Sequence, residues 1–140
     1  WIMLELCICF KKSGMSQLNS KCGRIDHEVD DGGVVKLGET SLRFISTPGH
    51  TPGSLCLLLG DQRRVLFSGD HVWWNRDQDV LVCSERYCWW DFNVQIRSLQ
   101  RLQPLDVAWL LPGHGHRQHF QPGAWTEAVK QTLTWIQAQH

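Results

Sequence analysis

Three apolar runs, one preceded and two closed by a glycine-flanked side chain able to bind a metal, constrain this 140-residue chain most. They read "SLCLLLG" (54–60), "RVLFSGD" (64–70) and "DVAWLLPGHG" (106–115). Short continuous apolar runs bounded by turn residues read as strands buried on both faces. A hairpin precedes them. Asp31-Gly32-Gly33 is a turn signal, Val34 to Leu37 a short strand, and Gly38-Glu39-Thr40 a second turn. Leu42 to Ser46 then alternates imperfectly with period two.

Between the second and third runs, Phe92, Val94, Ile96, Leu99 and Leu102 recur at helical spacing. Asp91 is placed to cap this helix and Pro104 to end it. After Pro122, Ala124, Val129, Leu133 and Ile136 mark a second helix. "IMLELCICF" reads as a strand or short buried segment, "KKSGMSQLNSKCGR" as a loop, and residues 71–90 as irregular and tryptophan-rich. The order is hairpin, strand, strand, helix, strand, helix. That is an α+β arrangement with at least one strand–helix–strand crossover.

Composition is that of a globular protein, with 42% hydrophobic and 20% charged residues. The formal net charge is zero, so charge gives no case for a nucleic-acid or anionic-membrane partner. "WIMLELCICF" is too short to span a membrane, and it carries Glu5 where a signal peptide would be apolar. The six cysteines include no CxxC pair, which favours reduced, structural thiols. Cys83 and Cys88 are the pair closest to a bridge-like spacing.

His50 stands in "STPGHTPGSL", Asp70 in "LFSGDHVW" and His114 in "LLPGHGHR". Strands that end at one sheet edge would bring these loops together. Imidazole and carboxylate suit zinc, and also iron or manganese. Proline and glycine stiffen the loops, and glycine permits close backbone approach. Taken singly, each residue reads as an ordinary turn or surface group. Their order and their common place at strand ends carry the signal. His71 reads mainly as structural. His116, Arg117 and His119 read as a solvated loop or the mouth of a site. Trp73, Trp74, Trp89 and Trp90 read as packing or as cleft walls.

These three segments resemble the later motifs of the metallo-β-lactamase superfamily of metal-dependent hydrolases. The run "SERYCWW", the following helix and "LLPGHGHRQHF" are similar to uncharacterised members from plants, algae and cyanobacteria. The resemblance implies a four-layer αββα sandwich, of which residues 30–140 form the later part. Residues 1–29 would then be a remnant of the preceding half or an irregular segment. It also implies that His50 completes a first metal site, Asp70 bridges two ions and His114 completes a second. The family's HxHxDH motif should precede His50 and is absent; His27 in "IDHEVD" does not supply it.

The expectation is therefore an N-terminally truncated hydrolase. Its parent would use a water activated by two zinc ions on an unknown small-molecule substrate, and this chain would be impaired. The exposed sheet would need a partner or the missing half to cover it. A non-catalytic scaffold on a degenerate fold is one alternative, and an iron-containing redox member another. Location is left open between plastid and cytoplasm.

Overall fold

The computed structural model describes residues 8–10, 27–60 and 62–139. Its centre is a six-stranded sheet in the order β10-β9-β6-β5-β4-β3. The strands are β3 (Val34–Leu37), β4 (Thr40–Ser46), β5 (Leu55–Leu59), β6 (Val65–Gly69), β9 (Trp109–Pro112) and β10 (Gln118–His119). Outside it, β1 (Ile8–Phe10) pairs in parallel with β2 (His27–Val29), and β7 (Trp73–Asn75) pairs antiparallel with β8 (Val80–Val82). Two helices complete the fold: α1 (Phe92–Leu102) and α2 (Ala124–Gln137). The loop expected over "KKSGMSQLNSKCGR" lies outside the described residues.

The three apolar runs became β5, β6 and β9, and the crossover from β6 to β9 carries α1. These two strands pair in parallel, whereas β3, β4, β5 and β6 pair antiparallel in succession. It follows that β4, β6 and β9 run in the same direction. Their C-terminal ends therefore share one sheet edge, the edge from which His50, Asp70 and His114 extend.

One sheet face is buried as expected. Ile45, Cys56, Leu66 and Leu110 pack there with Leu99 and Leu102 of α1 and Trp125, Val129, Leu133 and Ile136 of α2. Trp125 fixes the helix pair by donating Nε1–H to the Leu102 carbonyl, 2.9 Å away. The opposite face, which the apolar runs alone read as buried and the resemblance implies is uncovered, is partly exposed. Leu57, Phe67 and Leu111 stand in register across it. Leu57 and Leu111 are half-buried, while Phe67 and Trp109 remain 37% and 38% exposed.

Residues 71–90 hold more order than their irregular pattern implies. The β7–β8 hairpin turns through Asn75, whose Oδ1 accepts from the Asp77 and Gln78 amides, and Asp79 takes a left-handed φ of 54°. The short β10, read as loop, pairs with β9 instead. Among the described residues no helix is long and apolar enough to cross a membrane.

Helix α1 starts as the sequence indicates: Asp91 Oδ1 accepts from the Val94 amide at 3.0 Å. Its last turn is tied to the end of β4. Arg101 donates to the Ser46 carbonyl at 3.0 Å and to Asp31 Oδ2 at 2.6 Å, while Asp31 Oδ1 accepts from the Ser46 amide at 2.7 Å. This knot anchors the strand end from which the His50 loop departs. Burial tends to raise the Asp31 pKa, but the Ser46 amide and the Arg101 guanidinium outweigh it and hold the carboxyl below its ordinary value. A carboxyl with a depressed folded pKa adds stability above its unfolded pKa, and that gain is lost as pH falls through the folded value. Replacing Asp31→Asn is expected to cost about 0.5–1 kcal/mol at pH 7 for this exposed pair. In urea unfolding curves, the gap between the two proteins should close as pH falls below the ordinary carboxylate range.

Candidate functional site

The loop after β4 is shaped by the segment that follows the β7–β8 hairpin. Gly49 has φ of 140°, and a Cβ there would overlap the Gln95 backbone. Glycine is therefore needed for α1 to come this close. Ser98 Oγ donates to the Pro48 carbonyl at 2.7 Å. Residues 87–91 then wrap the loop. The Gly49 carbonyl accepts from the Asp91 amide at 3.1 Å and from the Cys88 thiol at 3.1 Å. The His50 carbonyl accepts from the Trp89 amide at 3.1 Å, and the Trp89 ring lies over the imidazole with centroids 5.0 Å apart.

The decisive contact is with the ring itself. His50 Nδ1 lies 2.8 Å from the Tyr87 carbonyl. A carbonyl only accepts, so Nδ1 carries a proton, and in the neutral ring the lone pair is then on Nε2. That lone pair is on the side of Asp70, with Nε2 3.7 Å from Oδ2. Metal-ligating histidines are oriented in this way, one ring nitrogen donating to a carbonyl and the other free to coordinate.

Asp70 follows a bulge at the end of β6, where the pairing with β9 shifts between Phe67 and Gly69. Bulges re-aim side chains at sheet ends. Ser68 Oγ donates to the Val72 carbonyl at 2.7 Å and closes the turn. On the facing loop, Gly113 donates its amide to the Gly69 carbonyl at 2.8 Å, and a Cβ on Gly113 would meet Asp70 Oδ1 at 2.7 Å. The missing side chain is what lets the β9 loop close on Asp70. His114 then places Nδ1 2.6 Å from Asp70 Oδ1.

His50, Asp70 and His114 thus line one pocket of about 450 Å³, with Trp73, Tyr87, Trp89 and Gly115 as the remaining wall. Tyr87 and Trp89 belong to "SERYCWW". That run carries no sign in the sequence of a role at His50, because a backbone carbonyl and a backbone amide leave no trace in residue type.

Two donors around one zinc ion, each about 2.1 Å from it in tetrahedral geometry, stand roughly 3.4 Å apart. His50 Nε2 and Asp70 Oδ2 are close to that spacing. The 2.6 Å contact between His114 and Asp70 is a direct hydrogen bond, which occupies both atoms. Catalytic zinc needs about three protein ligands. Among the described residues no group of three or more His, Cys, Asp or Glu side chains could hold a metal ion. The described donors therefore do not by themselves fit a complete metal site.

His71 is buried behind the site, at 1% exposure. Burial first, and His50 second, push its pKa down to about 4, so it is neutral at pH 7. Neither ring nitrogen has a hydrogen-bond partner among the described residues; its backbone carbonyl accepts from Gln95 Nε2 at 2.8 Å. His116 is held by its backbone, paired with Trp74, and His119 packs on Trp109. Neither lines the pocket. Cys83 and Cys88 are both free thiols, so the spacing between them reflects no bridge.

Residues 12–114 match the metallo-beta-lactamase superfamily, and the chain belongs to that family. Among curated relatives, it is 34% identical over 90 residues to the acyl-coenzyme A thioesterase MBLAC2 of Gallus gallus, covering 61% of this chain and 30% of that protein. It is 30% identical over 112 residues to the probable polyketide biosynthesis zinc-dependent hydrolase BaeB of Bacillus velezensis, covering 78% of this chain and 45% of the relative. The fold matches that of the archaeal superfamily protein ST1585 from Sulfolobus tokodaii with a TM-score of 0.58 at 20% identity, over 84% of this chain and 45% of that one. The chain spans less than half the length of these relatives.

The close approach at Gly49 has a measurable cost if it is blocked. Gly49→Ala is expected to destabilise the chain by on the order of 2–4 kcal/mol, from strain and overlap together. Gly53→Ala, with nothing near its added methyl group, should stay within about 0.5 kcal/mol. Urea denaturation of the two variants measures the difference.

Proposed function

We propose that this chain carries part of the active site of a metal-dependent hydrolase that acts on acyl thioesters. The observation that carries the reading is the orientation of His50, whose Nδ1–H is committed to the Tyr87 carbonyl while Nε2 turns to Asp70 Oδ2 at 3.7 Å. His50 and Asp70 are the donors to a first ion. His114 joins as a donor to a second once its bond to Asp70 opens. Zinc is the proposed metal, in keeping with the zinc-dependent hydrolase among the relatives. When two such ions are bound in a complete site, they supply an activated water and polarise the bond to be cut.

The remaining ligands come from a longer chain or a partner, which would also cover the sheet face bearing Phe67 and Trp109. On this reading residues 30–140 are the later part of the domain, and the 140-residue chain alone is impaired. The thioester class is supported by the acyl-coenzyme A thioesterase relative. It is supported also by the pocket's aromatic walls, Trp73, Tyr87 and Trp89, which suit an uncharged, partly apolar group beside the polar floor.

A non-catalytic binding role is the second reading, favoured by the hydrogen bond that closes His114 onto Asp70. Zinc titration calorimetry and metal analysis, on this chain and on His50→Ala, separate these readings. The chain is expected to take up fewer than two equivalents of zinc, and His50→Ala to weaken uptake by roughly tenfold or more. Two tightly held ions would refute the incomplete site, and unchanged binding in His50→Ala would refute the ligand assignment. Retention of iron in preference to zinc would point to redox chemistry. Zinc binding with no thioester cleavage, even after a segment bearing HxHxDH is supplied, would favour the non-catalytic role.

A further inference from the structure

Between the β7–β8 hairpin and α2 lies a second cavity, of about 700 Å³. That is the size of a small-ligand site. Trp73, Val80, Val82, Tyr87, Ala128 and Trp135 supply most of its apolar wall, and no Asp, Glu, Lys, Arg or His lines it among the described residues. Its polar side chains are largely spent on neighbours. Asn75 Nδ2 donates to Gln78 Oε1 at 3.0 Å, and Thr132 Oγ1 donates to the Leu81 carbonyl at 2.8 Å. Burial pushes the Cys83 thiol up to about 12, which removes it as a thiolate. Nothing in this wall is suited to a charged ligand, and its chemistry fits a hydrocarbon chain. Val80 and Trp135 remain 40% and 59% exposed, so apolar surface lies open to solvent here.

The cavity is not separate from the His50 pocket. Trp73 and Tyr87 line both, and their rings pack edge to face with centroids 5.8 Å apart. The Trp73–Tyr87 pair is a wall that the two cavities share.

We propose that this cavity receives the acyl chain of the substrate, which passes the Trp73–Tyr87 pair while the thioester group lies at His50, Asp70 and His114. This rests on the thioester reading and adds to it a preference for medium to long chains. Burying one more methylene strengthens binding by roughly fourfold when the group is fully enclosed.

The test uses the 140-residue chain and S-alkyl pantetheine thioethers of two, eight and twelve carbons, which cannot be hydrolysed. Binding is read by calorimetry. The eight-carbon probe is expected to bind at least about tenfold more tightly than the two-carbon probe. Val80→Glu, which sets a charge at the rim, and Ala128→Trp, which fills the cavity, should each abolish that gain and leave two-carbon binding unchanged. Equal binding at all lengths would overturn the proposal. So would a length dependence that both variants retain. Hydrolysis of the matching acyl-pantetheine thioesters is followed in parallel with zinc after a segment bearing HxHxDH is supplied. Length-dependent binding without hydrolysis counts against the hydrolase reading alone, and hydrolysis with length-independent binding counts against the cavity alone.

Discussion

The 2.8 Å hydrogen bond between His50 Nδ1 and the Tyr87 carbonyl is the contact on which the site depends. It fixes the tautomer of the neutral ring, which leaves the lone pair on Nε2, and sets the ring plane relative to Asp70. The bond exists because residues 87–91 are themselves held by the Gly49 and His50 carbonyls and by the start of α1. α1 in turn sits where it does because Leu99 and Leu102 are fully buried against the sheet and Gly49 lets the helix approach. The hydrophobic core and the chemistry of one imidazole are thus joined through a handful of backbone hydrogen bonds. A neutral imidazole held by a carbonyl is a better metal donor than a free one, since the proton is kept off the coordinating nitrogen.

The sheet gives the site its second constraint. With β4, β6 and β9 running the same way, their outgoing loops must meet at one edge. The bulge in β6 and the glycine at 113 then decide how closely they meet. What results is uneven. His50 and Asp70 stand apart at metal-ligand spacing, while His114 and Asp70 are in direct contact. A carboxylate and an exposed imidazole gain from pairing. Membership of the metallo-beta-lactamase superfamily explains why such loops are present. The described donors account for only part of the set that a metal would require.

Much of this was legible in the sequence. The runs that became β5, β6 and β9 are apolar enough to read as strands without ambiguity, and Asp91 and Pro104 bracket α1. That His50, Asp70 and His114 would meet at one sheet edge was legible because each lies beside a glycine after a strand. The strap over His50 was not, since its contacts come from the backbone of Tyr87 and Trp89. The β7–β8 hairpin was hidden by strands of three residues each, too short to show a period. The open sheet face followed from the resemblance and not from the apolar runs, which read as buried on both sides. Leu57, Phe67 and Trp109 are as apolar as the residues facing α1 and α2, so hydrophobicity alone cannot say which face is covered. The large cavity beside α2 was foreshadowed only by the density of tryptophan.

The central claim is that His50 is held as a metal donor by the Tyr87 carbonyl. The most direct measurement is the protonation of its two ring nitrogens in the metal-free chain, read from long-range ¹H–¹⁵N correlation spectra at neutral pH and assigned by comparison with His50→Gln. The account predicts that the neutral form of the ring carries its proton on Nδ1 and leaves Nε2 bare. A proton on Nε2, or rapid exchange between the two tautomers, would contradict it.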